Sequence, residues 1–72
     1  MIWYDEEELE GLNGWDPNDV GELFEDKKTG RVFELTEVEV SLRRIWLEEV
    51  GGEEEMIYAE ADDLPRDRFW LA

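Results

Sequence analysis

Arg43-Arg44-Ile45-Trp46-Leu47-Glu48-Glu49-Val50-Gly51-Gly52-Glu53-Glu54-Glu55-Met56-Ile57-Tyr58-Ala59-Glu60-Ala61 is the stretch whose reading decides the fold. Two apolar runs, residues 45–47 and 56–59, flank the dipeptide Gly51-Gly52. A Gly-Gly pair between β-formers marks a tight hairpin, because both central residues of a type I′ turn need positive φ. A two-residue turn at this dipeptide sets Val50 opposite Glu53, Glu49 opposite Glu54, Glu48 opposite Glu55 and Leu47 opposite Met56. Further along, Arg43 faces Glu60 as a cross-strand ion pair. Glu48, Glu49, Glu53, Glu54 and Glu55 then crowd one exposed tip. Like charges directly opposite on a sheet are destabilising, so the tip is the first candidate for a partner-binding site.

N-terminal to this hairpin, residues 36–50 admit two readings. Glu37-Val38-Glu39-Val40-Ser41-Leu42 alternates with period two, as a strand does, and its phase breaks at Arg43-Arg44. A bulge or bend near Arg43 would reset it. The alternative is a helix with Thr36 as N-cap, Glu39 completing a capping box and Gly51 beyond its end. β-Branched residues and Trp46 favour the strand.

Upstream, Asp16-Pro17-Asn18-Asp19 is either a capped helix start or a turn that launches a strand at Glu22-Leu23-Phe24-Glu25. The turn chemistry of Asp26-Lys27-Lys28-Thr29-Gly30-Arg31, with Gly30 suited to the left-handed position, favours the strand and a hairpin with Val32-Phe33-Glu34-Leu35. The string Asp16-Pro17-Asn18-Asp19-Val20, Leu23-Phe24, Asp26 and Gly30 resembles the opening of the small β-barrel in the C-terminal region of Mu-type transposases. The resemblance implies a small barrel and nothing about function, and the basic residues of a DNA-handling protein are missing.

At the two ends, Ile2-Trp3-Tyr4 is β-prone and precedes the acidic block Asp5-Glu6-Glu7-Glu8, read as strand edge, helix turn or loop. Trp15, between turn signals, is expected to cover one end of the core. Met56 begins a strand that Asp62-Asp63-Leu64-Pro65 ends in a turn or one 3₁₀ turn. Phe69-Trp70-Leu71-Ala72 is too apolar for solvent and docks as a last strand, beside Ile2-Trp3-Tyr4 in the simplest arrangement. The expected fold is mainly β: a small, strongly bent antiparallel sheet or SH3-like barrel of about five short strands with room for one short helix. The alternative is α+β, with the helix over residues 36–50.

Composition bounds the function. A chain of 72 residues makes one small domain with a thin core. No cysteine is present, so neither disulfides nor thiolate metal sites form. Histidine is also absent and Ser41 is the only serine, which removes the common general base and the best nucleophiles. The expectation is a non-enzyme with no catalytic residues and no cofactor. Asp16, Asn18 and Gly21 have the spacing of a calcium-loop start, but Val20 and Lys27 occupy ligand positions, so no metal site is expected. The opening Met1-Ile2-Trp3-Tyr4-Asp5-Glu6 turns acidic where a secretory signal needs a basic segment and an apolar run. A cytoplasmic location is expected on that ground.

The 22 acidic residues against 7 basic ones give a net charge of −15. That field attracts basic partners and disfavours direct nucleic-acid binding and anionic membranes. Adaptation to heat or salt would show as ion-pair networks, which 7 cations cannot supply to 22 acids. The sharper expectation is a mimic of nucleic-acid charge that occludes the basic groove of a host enzyme or defence complex. The candidate residues are Glu48, Glu49, Glu53, Glu54 and Glu55, joined by Glu6, Glu7 and Glu8 or by Glu34, Glu37 and Glu39. Small acidic phage and mobile-element proteins, such as anti-CRISPR and anti-restriction inhibitors, are similar in size and charge. Aromatic residues carry the alternative: Trp3, Tyr4, Trp15, Trp46 and Trp70 exceed what a thin core needs, with core packing expected for Trp46 and Phe33. An adaptor, assembly module or homodimer would use such a face or a sheet edge, its acidity serving only solubility.

Overall fold

The structure, a computed structural model, describes residues 6–72. One helical turn, α1 (Glu6–Glu10), is followed by a 3₁₀ turn (Pro17–Asp19) and strands β1 (Leu23–Asp26), β2 (Val32–Glu39), β3 (Arg44–Glu49) and β4 (Met56–Glu60). Two further 3₁₀ turns, Ala61–Asp63 and Arg66–Arg68, lead into β5 (Phe69–Leu71). The five strands form one antiparallel sheet in the order β4-β3-β2-β1-β5. Among the described residues β4 and β5 do not pair, so the sheet is open rather than a closed barrel. Trp3 and Tyr4 lie outside the described residues. The C-terminal strand forms as expected and pairs with β1, Trp70 opposite Glu25 and Phe69 opposite Asp26; its expected place beside residues 2–4 falls outside the described residues.

The first hairpin forms as its turn chemistry predicts. Gly30 takes φ 74° and its N–H donates to the Asp26 carbonyl at 2.8 Å. Asp16 caps the first 3₁₀ turn through the Asn18 N–H at 2.8 Å, and the chain then enters β1. Both features of the Asp16-Pro17 stretch are therefore used, cap and strand alike.

Residues 36–50 are neither one strand nor a helix. β2 ends at Glu39, residues 40–43 turn, and β3 returns antiparallel, with Glu39 opposite Arg44 and Val38 opposite Ile45. The phase break at Arg43-Arg44 is thus a hairpin turn, closed by Arg43 in the left-handed region at φ 54°. Left-handed backbone is uncommon outside glycine, asparagine and aspartate, which is why no turn signal marks it. A bulge does occur, but at Thr36, where the register shifts between Leu35 and Glu37. It turns the inward phase from Phe33 and Leu35 to Val38 and Val40.

The β3–β4 register is one residue away from a two-residue turn. Glu48 faces Met56, Leu47 faces Ile57, Trp46 faces Tyr58, Ile45 faces Ala59, and Arg44, not Arg43, faces Glu60. Directly opposed residues share a face, so this register alone puts Ile45, Leu47, Ile57 and Ala59 together on the inner side. The loop lengthens to residues 50–54, with Gly51, Gly52 and Glu54 at φ 76°, 62° and 54°. Burial of the apolar set outweighs the preference for the tighter turn.

The core covers one face of the sheet. Phe24, Phe33, Leu35, Ile45, Leu47 and Phe69 meet Leu12, Trp15, Ala61 and Leu64 from the segments that cross over them. Trp15 is buried as expected, its indole N–H donating to the Leu64 carbonyl at 2.6 Å. Asn13 Nδ2 donates to the Ala61 carbonyl at 2.9 Å, tying the two covering segments together. Arg43 lies across Gly11, where a Cβ would come within 2.9 Å of its Nε, so a side chain there would push the exposed Arg43 side chain aside.

Asp26 is the one buried carboxylate at the β1–β5 end. Its Oδ2 accepts from Arg68 at 2.7 Å and its Oδ1 from the Lys28 N–H at 2.9 Å. Burial opposes its charge, yet the Arg68 hydrogen bond, the Lys28 and Thr29 N–H groups and the Arg68 charge together hold its carboxyl below the usual range. A depressed folded pKa contributes stability above the unfolded pKa and loses it as pH falls through the folded value. Asp26→Asn, which keeps the turn but drops the charge, is expected to cost about 2 kcal/mol at neutral pH. The gap from the parent should close in acid, measured by urea denaturation of both proteins across that range. A gap that persists unchanged below the folded pKa would contradict the ion pair.

Candidate functional site

Because antiparallel neighbours share a face, the register maps the outer side of the sheet residue by residue. One row across the strands reads Leu23, Glu34, Glu48, Met56. The next reads Glu37, Trp46, Tyr58, and the last Glu39, Arg44, Glu60. Trp70 and Glu25 stand opposite each other at the β5 end. Neighbouring strands lie about 4.8 Å apart, and same-face residues about 6.7 Å apart along a strand. The outer face is therefore a lattice of carboxylates around a strip of aromatic and thioether side chains, with Arg44 the one cation on the strands themselves.

Glu34 and Glu48 are directly opposed, both exposed, with no cation partner among the described residues. Sheets avoid that arrangement for stability's sake. The unfavourable pairing thus lies between β2 and β3, in the row of the face nearest the 50–54 loop.

The aromatic strip is fixed in place. Trp46 and Tyr58 pack with ring centroids 4.2 Å apart, and one carboxylate holds both polar ends. Glu39 Oε1 accepts from the Trp46 indole at 3.1 Å and Oε2 from the Tyr58 hydroxyl at 2.9 Å. Trp46 is accordingly half-buried on the outer face and is not a core residue. Tyr58 is 41% exposed, Met56 56% and Trp70 59%. The Arg44 guanidinium lies 5.2 Å from the Tyr58 ring centroid and 3.8 Å from Glu60, and Lys27 Nζ sits 4.1 Å over Trp70.

The tip expected from sequence is only partly acidic surface. Glu49 points inward and is buried under its own loop. It accepts from the Glu55 N–H at 3.2 Å, lies 3.9 Å from Arg31 and would come within 2.9 Å of a Cβ at Gly52. Glu55 pairs with Arg31 at 2.6 Å. Glu53 and Glu54 remain exposed on the loop, and Glu48 belongs to the sheet face. Glu6, Glu7 and Glu8 are exposed on α1, but Glu7 and Glu8 border a shallow cavity with Val38, Val40, Ser41 and Arg43, at the far end of β3 from the loop. The structure joins Glu48 to Glu34, Glu37 and Glu39, and separates it from α1.

Among the described residues, ion pairs engage Asp26, Glu49, Glu55 and Glu60, and no other acid there has a lysine or arginine within 4.0 Å. Nor do three of those carboxylates converge as metal ligands would. No helix of the described residues is long and apolar enough to cross a membrane. Comparison with protein families, with curated proteins and with solved structures finds no match.

Proposed function

We propose that this protein is a non-enzymatic binder of a basic protein surface, occupying the site where a nucleic-acid enzyme or defence complex holds its substrate. One observation carries the reading: unneutralised carboxylates are spread over an open sheet face instead of being paired or gathered into a pocket. Duplex DNA presents one negative charge per about 1.7 Å of its axis. Glu34, Glu37, Glu39 and Glu48, a few ångströms apart in two dimensions, present charge to a cationic groove in a comparable way. Long-range attraction speeds encounter with such a groove, and Met56, Trp46 and Tyr58 supply apolar contact among the acids.

The exposed aromatic residues and the β4 edge, unpaired among the described residues, favour a second reading, an adaptor that docks through apolar or strand-addition contacts. Ionic strength separates the two. Nucleic-acid-binding proteins enriched on heparin should be retained by the immobilised chain at low salt. Duplex DNA should release them, and so should raising the salt several-fold, because screening shortens the reach of surface charge. Retention that neither DNA nor salt disturbs would favour the adaptor; no retention at low salt would remove the charge-mimic reading.

A further inference from the structure

Resting on that reading, we infer that the outer sheet face is the contact surface and that its Trp46–Tyr58 pair seats an arginine side chain of an arginine-rich protein segment. Three observations converge on this occupant. The first is charge: Glu37 and Glu48, with no lysine or arginine within 4.0 Å among the described residues, border the pair on adjoining positions of the same face. Glu60 beside them is shared with Arg44, and the setting is complementary to a run of cations and repulsive to nucleic acid. A second copy of this chain is disfavoured for the same reason, each copy carrying −15.

The second is preorganisation. Both oxygens of Glu39 are spent on the indole N–H and the tyrosine hydroxyl, so the rings hold one orientation while part of their surface stays in solvent. Contact groups fixed beforehand lose less freedom on binding.

The third is that the face already takes cations in this manner. Arg44 lies over Tyr58 and reaches Glu60, and Lys27 lies over Trp70. Ring plus carboxylate thus seats a cation at Tyr58 and Glu60, where Arg44 already lies, so an incoming guanidinium takes the ring surface beside Arg44 or displaces it. Arginine suits such a seat better than lysine, because a planar, weakly hydrated guanidinium stacks on rings and forks onto carboxylates.

The test titrates the ¹⁵N-labelled protein with an oligoarginine peptide and, separately, an oligolysine peptide of equal length at low salt. Oligoarginine should shift the Trp46 indole N–H and the amides of Glu37, Glu48 and Tyr58, while Gly51, Gly52 and Glu53 stay in place. It should bind about threefold tighter than oligolysine. Tyr58→Thr, which keeps a β-former in an exposed strand position, should abolish that preference. Glu39→Gln, which keeps both rings but loosens them, should reduce it. Shifts confined to the 50–54 loop or to α1, equal affinity for both peptides, or movement of the Trp46 indole on concentrating the protein alone would each overturn the inference. The first two leave the basic-partner reading standing. Failure of both peptides to bind at low salt overturns both.

Discussion

Trp15→Ala is expected to leave most of the protein unfolded at room temperature. Trp15 is 2% exposed and meets Phe24 edge-on at 5.3 Å and Phe69 at 5.5 Å between ring centroids. Arg66 closes the other side, 4.3 Å from the Phe24 ring and 5.8 Å from the Trp15 ring, while donating to the Phe69 carbonyl at 3.0 Å. The indole therefore links β1, β5 and the covering segments at one point. Removing a large aromatic side chain from a core costs about 4 kcal/mol, and the Leu64 carbonyl would lose its donor as well. Small domains hold about 5 kcal/mol of stability, and this one carries a net charge of −15 that works against compactness. Trp15→Phe, which keeps most of the ring volume but not the N–H, should stay folded and lose about 1.5 kcal/mol. Urea denaturation followed by far-ultraviolet circular dichroism gives both numbers. An alanine variant whose midpoint lies within about 0.5 M of the parent would mean that Trp15 does not hold the core.

Trp15 was legible from sequence because it stands alone between turn signals in a chain short of core. The Asp26 to Gly30 hairpin was legible because side-chain chemistry and glycine fell at the positions the turn demands. The second hairpin was not. Its turn at residues 40–43 uses Arg43 in a left-handed conformation that glycine usually marks, so the alternation through Leu42 read as one continuing strand. Gly51-Gly52 marks where the next turn falls but not its length, since Glu54 also takes a left-handed conformation. Periodicity shows that Ile45 and Leu47 share a face, yet not that they must lie opposite Ala59 and Ile57. That pairing decides the register, and the register decides the site. It turns Glu49 inward beneath its loop and brings Glu48 beside Glu34 on the outer face. The Thr36 bulge aligns Glu37 with Trp46 in the same way. The composition signalled an acidic surface; only the strand pairing shows which carboxylates form a continuous one.

Glu34→Gln together with Glu48→Gln should stabilise the fold while weakening its binding to basic ligands. The two carboxylates face each other across β2 and β3 with no cation among the described residues to relieve them. Cross-strand pairs are worth about 0.2–1 kcal/mol, so removing the repulsion should raise unfolding free energy by about 0.5 kcal/mol. Binding moves the other way. Each exposed ionic contact contributes up to about 1 kcal/mol, so losing two should weaken affinity for an oligoarginine peptide roughly tenfold at low salt. Glu53→Gln with Glu54→Gln is the matched control, since it removes the same charge from the exposed 50–54 loop. That pair should change stability and affinity by much less. If both double variants weaken binding equally, net charge alone attracts the ligand and the sheet face has no special part. A Glu34, Glu48 variant that becomes less stable would show that the opposed carboxylates serve the fold. Gain of stability with loss of binding, confined to the sheet pair, is the outcome that assigns these two acids to partner recognition.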